Sequence, residues 1–125
     1  MTENEISRVI VDVAYKIHVA LGPGLLESVY ESVLEFELKK RGLDVKKQVA
    51  IPVIYETIHL EAGFRADLIV NNKVIIEVKS VEMVSPVHHK QLRTYLRLAD
   101  KKLGILINFN VELIKDGMRR VVNNL

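Results

Sequence analysis

Apolar residues recur at helical spacing at the start of the chain, at Ile6, Val9, Ile10, Val13, Ile17, Ala20 and Leu21, behind Thr2 and Glu5 at capping-box spacing. This pattern predicts a first helix that stops at Gly22-Pro23-Gly24, where the chain must turn. A second helix is predicted from Leu25, Leu26, Val29, Tyr30, Val33 and Leu34, ending in Lys39-Lys40-Arg41 before Gly42. From Leu43 the period changes to two. Val45, Val49, Ile51, Val53 and Tyr55 predict an extended strand with a turn at Glu56-Thr57. Phe64 to Val70 and Val74 to Val81 read as a β-hairpin around Asn71-Asn72. Ser85-Pro86 supplies the cap and the first-turn proline of a third helix reaching about Asp100. Leu103 to Phe109 is almost wholly apolar, as in a strand covered on both faces, and Asp116-Gly117 signals the tight turn of a last hairpin. The predicted order is α-α-β-β-β-α-β-β, a single α/β domain over residues 1–125 with a central mixed β-sheet flanked by helices.

Composition narrows the class without choosing a function. The chain has 125 residues, 49% hydrophobic and 27% charged, enough for one core. No run approaches the ~20 apolar residues of a membrane span, so no membrane partner is expected. The N-terminus, Met1-Thr2-Glu3-Asn4-Glu5, is acidic and polar, unlike a signal peptide. With no cysteine there is no disulfide framework and no thiolate zinc site, and a cytoplasmic protein is expected. A net charge of +2 does not by itself point to nucleic acid; only the placement of the charges can.

That placement changes the picture at Val74-Ile75-Ile76-Glu77-Val78-Lys79. An acid and a lysine two apart on a strand share a face, so two charges stand on an apolar strand where desolvation is costly. Asp67 lies upstream in the same hairpin. A two-residue loop, Asn71-Asn72, would set Asp67 opposite Ile76; a three-residue loop that includes Lys73 pairs Val70 with Val74 and sets Asp67 opposite Glu77. Opposed residues lie within ~5.5 Å at Cβ, and two carboxylates so close repel unless a cation lies between them. The three-residue loop is therefore predicted, with Asp67, Glu77 and Lys79 on one face and Leu68, Ile76 and Val78 packed on the other.

Two carboxylates and the Val78 backbone carbonyl suit Mg²⁺ or Mn²⁺, which prefer oxygen ligands. Such an ion polarises a phosphodiester and lowers the pKa of a bound water, and Lys79 could orient that water or stabilise developing charge. The plainer reading of Glu-x-Lys is a solvated strand edge. In helix three, Gln91 and Tyr95 are four apart with His88 one turn earlier, and the first two could hold a phosphate or a flanking nucleotide. Against this, Tyr95 fits a core stripe with Leu92, Leu96 and Ala99, and Gln91 a surface position. His88 reads as a site-edge group and His89 as solvent-facing. Glu27, in the first turn of helix two, has the ordinary role of complementing the helix dipole. Gly22-Pro23-Gly24 lacks the lysine and spacing of a phosphate loop. Lys46-Lys47 and Arg119-Arg120 are short basic pairs available for non-specific backbone contact.

Together these residues resemble the GxxExxY protein family, a branch of the PD-(D/E)XK nuclease superfamily with the restriction-endonuclease-like fold. The naming motif stands as Gly24, Glu27 and Tyr30. The superfamily's first acid matches Asp67 in Phe64-Arg65-Ala66-Asp67-Leu68, with Ala66 in place of the nominal proline. Its E-x-K element matches Glu77-Val78-Lys79, and its Q-x-x-x-Y motif matches Gln91 and Tyr95. Ser85 to His88 and Leu106 to Phe109 also look like family segments, and the likeness spans about Val13 to Val122. The resemblance implies Asp67 and Glu77 as metal ligands, Lys79 as the catalytic lysine, Glu27 completing the acidic cluster, and Gln91 and Tyr95 steadying the substrate or Lys79.

The expected function is a Mg²⁺-dependent nuclease acting on DNA or RNA. Two alternatives stand beside it: a nucleic-acid-binding or accessory protein without turnover, and a structural module in which Asp67, Glu77 and Lys79 form a buried ion-pair network. No base-reading element is identifiable, so end-directed, single-strand or structure-directed cleavage is easier to accommodate than sequence-specific cleavage. A homodimer would help so small a nuclease cut both strands, and a partner protein could supply targeting, although no pattern marks either interface.

Overall fold

The computed structural model describes the whole chain, Met1–Leu125. Thr2 and Glu5 cap helix α1 (Glu3–Leu21) reciprocally, and Gly22, at φ 72°, ends it by donating its N–H to His18 O. Helix α2 (Glu27–Lys40) begins after Leu25 and Leu26, which lie outside it and are exposed; its buried stripe is Tyr30, Glu31, Leu34 and Leu38. Strands β1 (Val45–Tyr55), β2 (Ile58–Val70) and β3 (Val74–Lys79) follow as an antiparallel meander. Helix α3 (Pro86–Ala99) then crosses over to β4 (Leu103–Asn108), which pairs parallel with β3. Strand β5 (Met118–Val122) closes the sheet antiparallel to β4, and the spatial order β1-β2-β3-β4-β5 equals the sequence order. The α/β domain with a mixed sheet is therefore as the sequence predicts.

The sheet has helices on both faces. Ile6, Ile10, Val13 and Ile17 of α1 and Tyr30, Leu34 and Leu38 of α2 pack on Leu68, Val70, Val74, Ile76, Val78, Ile105 and Ile107. Leu92 and Leu96 of α3 cover Ile69, Ile75, Leu106 and Val121 on the other face. No helix is long and apolar enough to cross a membrane.

Besides the later start of α2 at Glu27 and the end of β4 at Asn108, three features differ from the sequence reading. Strand β2 begins at Ile58 rather than Phe64, because the β1–β2 hairpin continues beyond the core with Ile54, Tyr55, Ile58 and Leu60 all exposed. No buried alternation marks that outer half, and a register shift between Ile51 and Val53, near Pro52, interrupts the ladder. Strand β3 ends at Lys79, two residues early, because Asn108 takes over the Val81 backbone: its amide donates to Val81 O at 2.8 Å and accepts from Val81 N at 3.1 Å. Asp116-Gly117 does not form a two-residue hairpin turn. The β4–β5 connection contains a short 3₁₀ turn at Ile114–Asp116, and Gly117 sits at φ −97°. Glycine is needed there for space, since a Cβ would lie 2.0 Å from Asn108 O.

Candidate active site

Register builds the site. Val70 pairs with Val74, Ile69 with Ile75 and Leu68 with Ile76, so the loop is Asn71-Asn72-Lys73, as predicted. Asn71 and Asn72 take left-handed φ values of 50° and 54°, a conformation asparagine tolerates. One step beyond the last pair, Asp67 and Glu77 come abreast and the backbone ladder gives way to a side chain: Asp67 Oδ2 accepts the Val78 N–H at 2.8 Å. The Val78 carbonyl lies on the same edge of its strand as that N–H, facing the gap between β2 and β3.

Glu77 is buried, with 6% of its surface exposed, and its Oε1 has no hydrogen-bond partner. Burial, then the adjacent Asp67 charge and a hydrogen bond shared with Asp67, push the Glu77 carboxyl up to about 9. The Lys79 charge opposes this and is outweighed. Lys79 is half-buried, and no ion pair within 4.0 Å joins it to Asp67 or Glu77; the salt bridges of this protein are Lys16–Glu37, Lys39–Glu35 and Arg41–Asp12, all elsewhere. The buried ion-pair network considered from sequence is therefore not formed.

A residue the sequence reading passed over extends the acidic pair. Glu31, 6% exposed, accepts from Gln48 Nε2 at 2.8 Å, and the same amide reaches Asp67 Oδ1 at 3.3 Å. Burial, with a further contribution from the Asp67 charge, raises the Glu31 carboxyl above its ordinary range. Gln48 adopts a left-handed φ of 52° within β1, a conformation that costs energy for a non-glycine residue and tends to occur where geometry serves function. The signal for Glu31 was present: with Leu34 and Leu38 it occupies the i, i+3, i+7 stripe that faces the sheet.

Glu27, one turn earlier, is exposed and does not join this group. Its Oε2 accepts the Ser80 N–H at 3.2 Å, while Ser80 Oγ donates to Leu25 O at 2.6 Å. Glu27 thus fastens the start of α2 to the residue after Lys79. Tyr30 sets where α2 starts: its hydroxyl donates to Gly22 O at 2.6 Å and accepts from Leu25 N at 3.1 Å, and its ring stacks on Phe109.

From α3, Tyr95 faces the carboxylates. It is half-buried and stacked on Phe64 with ring centres 3.8 Å apart. Burial, then the Glu77 and Asp67 charges, raises its hydroxyl pKa. Gln91 lies one turn earlier and is exposed. His88, read as a site-edge group, is instead committed to the helix cap, where its Nδ1 accepts the Ser85 N–H at 3.3 Å. His89 is half-buried with its Nε2 enclosed and unpartnered, not solvent-facing, because α3 turns it toward the β4–β5 connection.

The donor set fits a divalent cation in part. Asp67, the orphaned Glu77 oxygen and the Val78 carbonyl are hard oxygen donors on one gap in the sheet, while no group of three or more His, Cys, Asp or Glu side chains is gathered as a ready ligand set.

A family model described as the PD-(D/E)XK nuclease superfamily matches residues 4–121. Among solved structures, the crystal structure of SSO0001 shares 26% identity at a TM-score of 0.58, covering 79% of this chain and 51% of that one. This chain therefore spans about half the length of SSO0001. An alkaline exonuclease, LHK-Exo, from Laribacter hongkongensis shares 17% identity at a TM-score of 0.47, over 99% of this chain and 73% of that one. No curated protein matches the sequence.

Proposed function

The chain belongs to the PD-(D/E)XK nuclease superfamily, and from that premise we propose that it hydrolyses phosphodiester bonds of DNA or RNA with a divalent cation. The observation that carries the reading is the buried Glu77 carboxyl set beside Asp67, with an unpartnered oxygen and Lys79 two residues on. Asp67, Glu77 and the Val78 carbonyl would hold Mg²⁺ or Mn²⁺. When bound, the ion supplies Lewis-acid polarisation of the phosphate and lowers the pKa of a water. Glu77 keeps its proton in the metal-free protein at neutral pH and must release it to act as a ligand. Lys79 places a cation on the Glu77 side of the strand, where it orients the attacking water or stabilises charge on the non-bridging oxygens. Tyr95 and Gln91 hold a substrate phosphate or steady Lys79, and Glu31 with Gln48 positions Asp67. Glu27 acts through Ser80 on the position of Lys79.

The test is cleavage of single- and double-stranded DNA and RNA with Mg²⁺, Mn²⁺ or EDTA, with Lys79→Ala beside the wild type. Metal-dependent cutting is expected, lost by at least ~10²-fold in the variant, which keeps its fold. Equal cutting by the variant removes Lys79 from the mechanism. Nucleic-acid binding without cutting on any substrate makes the protein an accessory binder on a nuclease fold.

A further inference from the structure

Between α3 and the outer strand β5 runs a groove of about 580 Å³ whose walls carry Lys90, Arg93, Arg97 and Arg120. These are four of the eighteen basic residues of the chain, and none of its sixteen acids lines the groove. A net charge of only +2 therefore conceals a strong local separation of sign. None of the four cations makes a salt bridge; Arg120 is held by a hydrogen bond to the Asn4 side chain. Arg97, in the last turn of α3, also complements the helix dipole, a role unavailable to Lys90 and Arg93.

The groove is separate from the carboxylates. At 100° per residue, Lys90, Arg93 and Arg97 lie roughly 140–160° around α3 from Tyr95, which faces Asp67 and Glu77. One side of the helix addresses the candidate site and the other presents a row of cations about 10 Å long. Laid along a duplex axis, a row of that length spans about three phosphates of one strand, at roughly 3.4 Å of axis each.

We propose that this groove binds the sugar–phosphate backbone of a nucleic acid, holding a part of the polymer other than the part at Asp67 and Glu77. The ligand class rests on the nuclease reading; the site itself does not. Guanidinium forks suit phosphate oxygens; no Phe, Tyr or Trp lines the groove, and its one ring, His89, is half-buried with Nε2 enclosed, so binding is read as independent of sequence. The apolar wall is limited to Pro86, Val121 and Val122, too little for the anchored centre of a protein interface.

The experiment is titration of labelled DNA and RNA, single- and double-stranded and about 30 nucleotides long, in EDTA over a range of salt. The Lys90→Gln/Arg93→Gln/Arg97→Gln protein is compared with wild type and with Arg93→Lys/Arg97→Lys. The glutamine variant is expected to bind about 10- to 30-fold more weakly, with a salt slope shallower by about 2 to 3 on duplex. The lysine variant should keep the wild-type slope, which separates charge from damage to the helix. Equal affinity and slope in the glutamine variant overturn the proposal, as does a wild type that binds no nucleic acid at low salt. Metal-dependent cleavage with the groove variant unimpaired in binding sinks the groove and spares the nuclease reading. A charge-dependent loss of binding in a protein that never cuts upholds the groove and sinks that reading.

Discussion

Glu77 is expected to make the largest contribution to the pH dependence of the metal-free protein, with Glu31 acting in the same direction. The unfolded chain releases its proton near the ordinary value of 4.5 and the folded chain near 9, so between those limits the folded state binds more protons. Stability therefore falls as pH rises through this window, with a slope of up to ~1.4 kcal/mol per pH unit from this group. Glu77→Gln keeps the shape and removes the charge, so the variant is expected to have a markedly shallower slope, with Glu31 still contributing, and to be more stable than wild type above neutrality without metal. Urea unfolding between pH 5 and pH 9 in EDTA measures it; parallel pH profiles would show that Glu77 ionises normally. Asp67, Glu77 and Lys79 were singled out from sequence because the strand period places their charges on a shared face, whereas spacing alone put Tyr95 in a core stripe and only the family resemblance raised it to a candidate. Glu31 and Gln48 were missed because their contact with each other and with Asp67 comes from α2 packing on the sheet beside β1, residues 17 apart in sequence brought within 2.8 Å. The caps misled in the opposite direction: His88 looked like a site residue because helical spacing aligns it with Gln91, while its ring is used one turn back at Ser85.

At the scale of elements, the helices were legible because each carries its own stop signals, and the β2–β3 register was legible because a three-residue loop gathers Asp67, Glu77 and Lys79 on one face and leaves Leu68, Ile76 and Val78 to pack on the other. The β4–β5 connection was not. Asp116-Gly117 has a hairpin composition, yet the glycine answers a steric demand from Asn108, which only the folded chain reveals. Gly117→Ala leaves backbone torsion unstrained and forces a methyl against Asn108 O, where the chain is also bonded by Asn108 N–H to Gly117 O at 2.8 Å. The expected loss is about 1–3 kcal/mol, seen as a lower urea midpoint with an unchanged m-value. Because Asn108 also pins Val81, two residues past Lys79, cleavage by this variant should fall more than its stability alone implies.

For the molecule as a whole, a bound cation would link the site to global stability. At a concentration one hundred times its dissociation constant, Mg²⁺ is expected to stabilise the fold by about 2.7 kcal/mol, reversed by EDTA and diminished in Asp67→Asn. Calorimetry with and without metal checks this, and no shift in wild type would argue against an ion between the acids. The meander also leaves the β1–β2 hairpin extending past the core from Ile51 and Phe64 to a turn at Glu56–Thr57, where every residue from Ile54 to Gly63 is exposed. Ten residue steps along the strand separate Thr57 from Asp67, roughly 33 Å of extended chain. A foreign domain spliced between Glu56 and Thr57 would interrupt no buried contact and would ride at that distance from the carboxylates, which makes the turn a natural graft point for giving this small chain an address on its substrate.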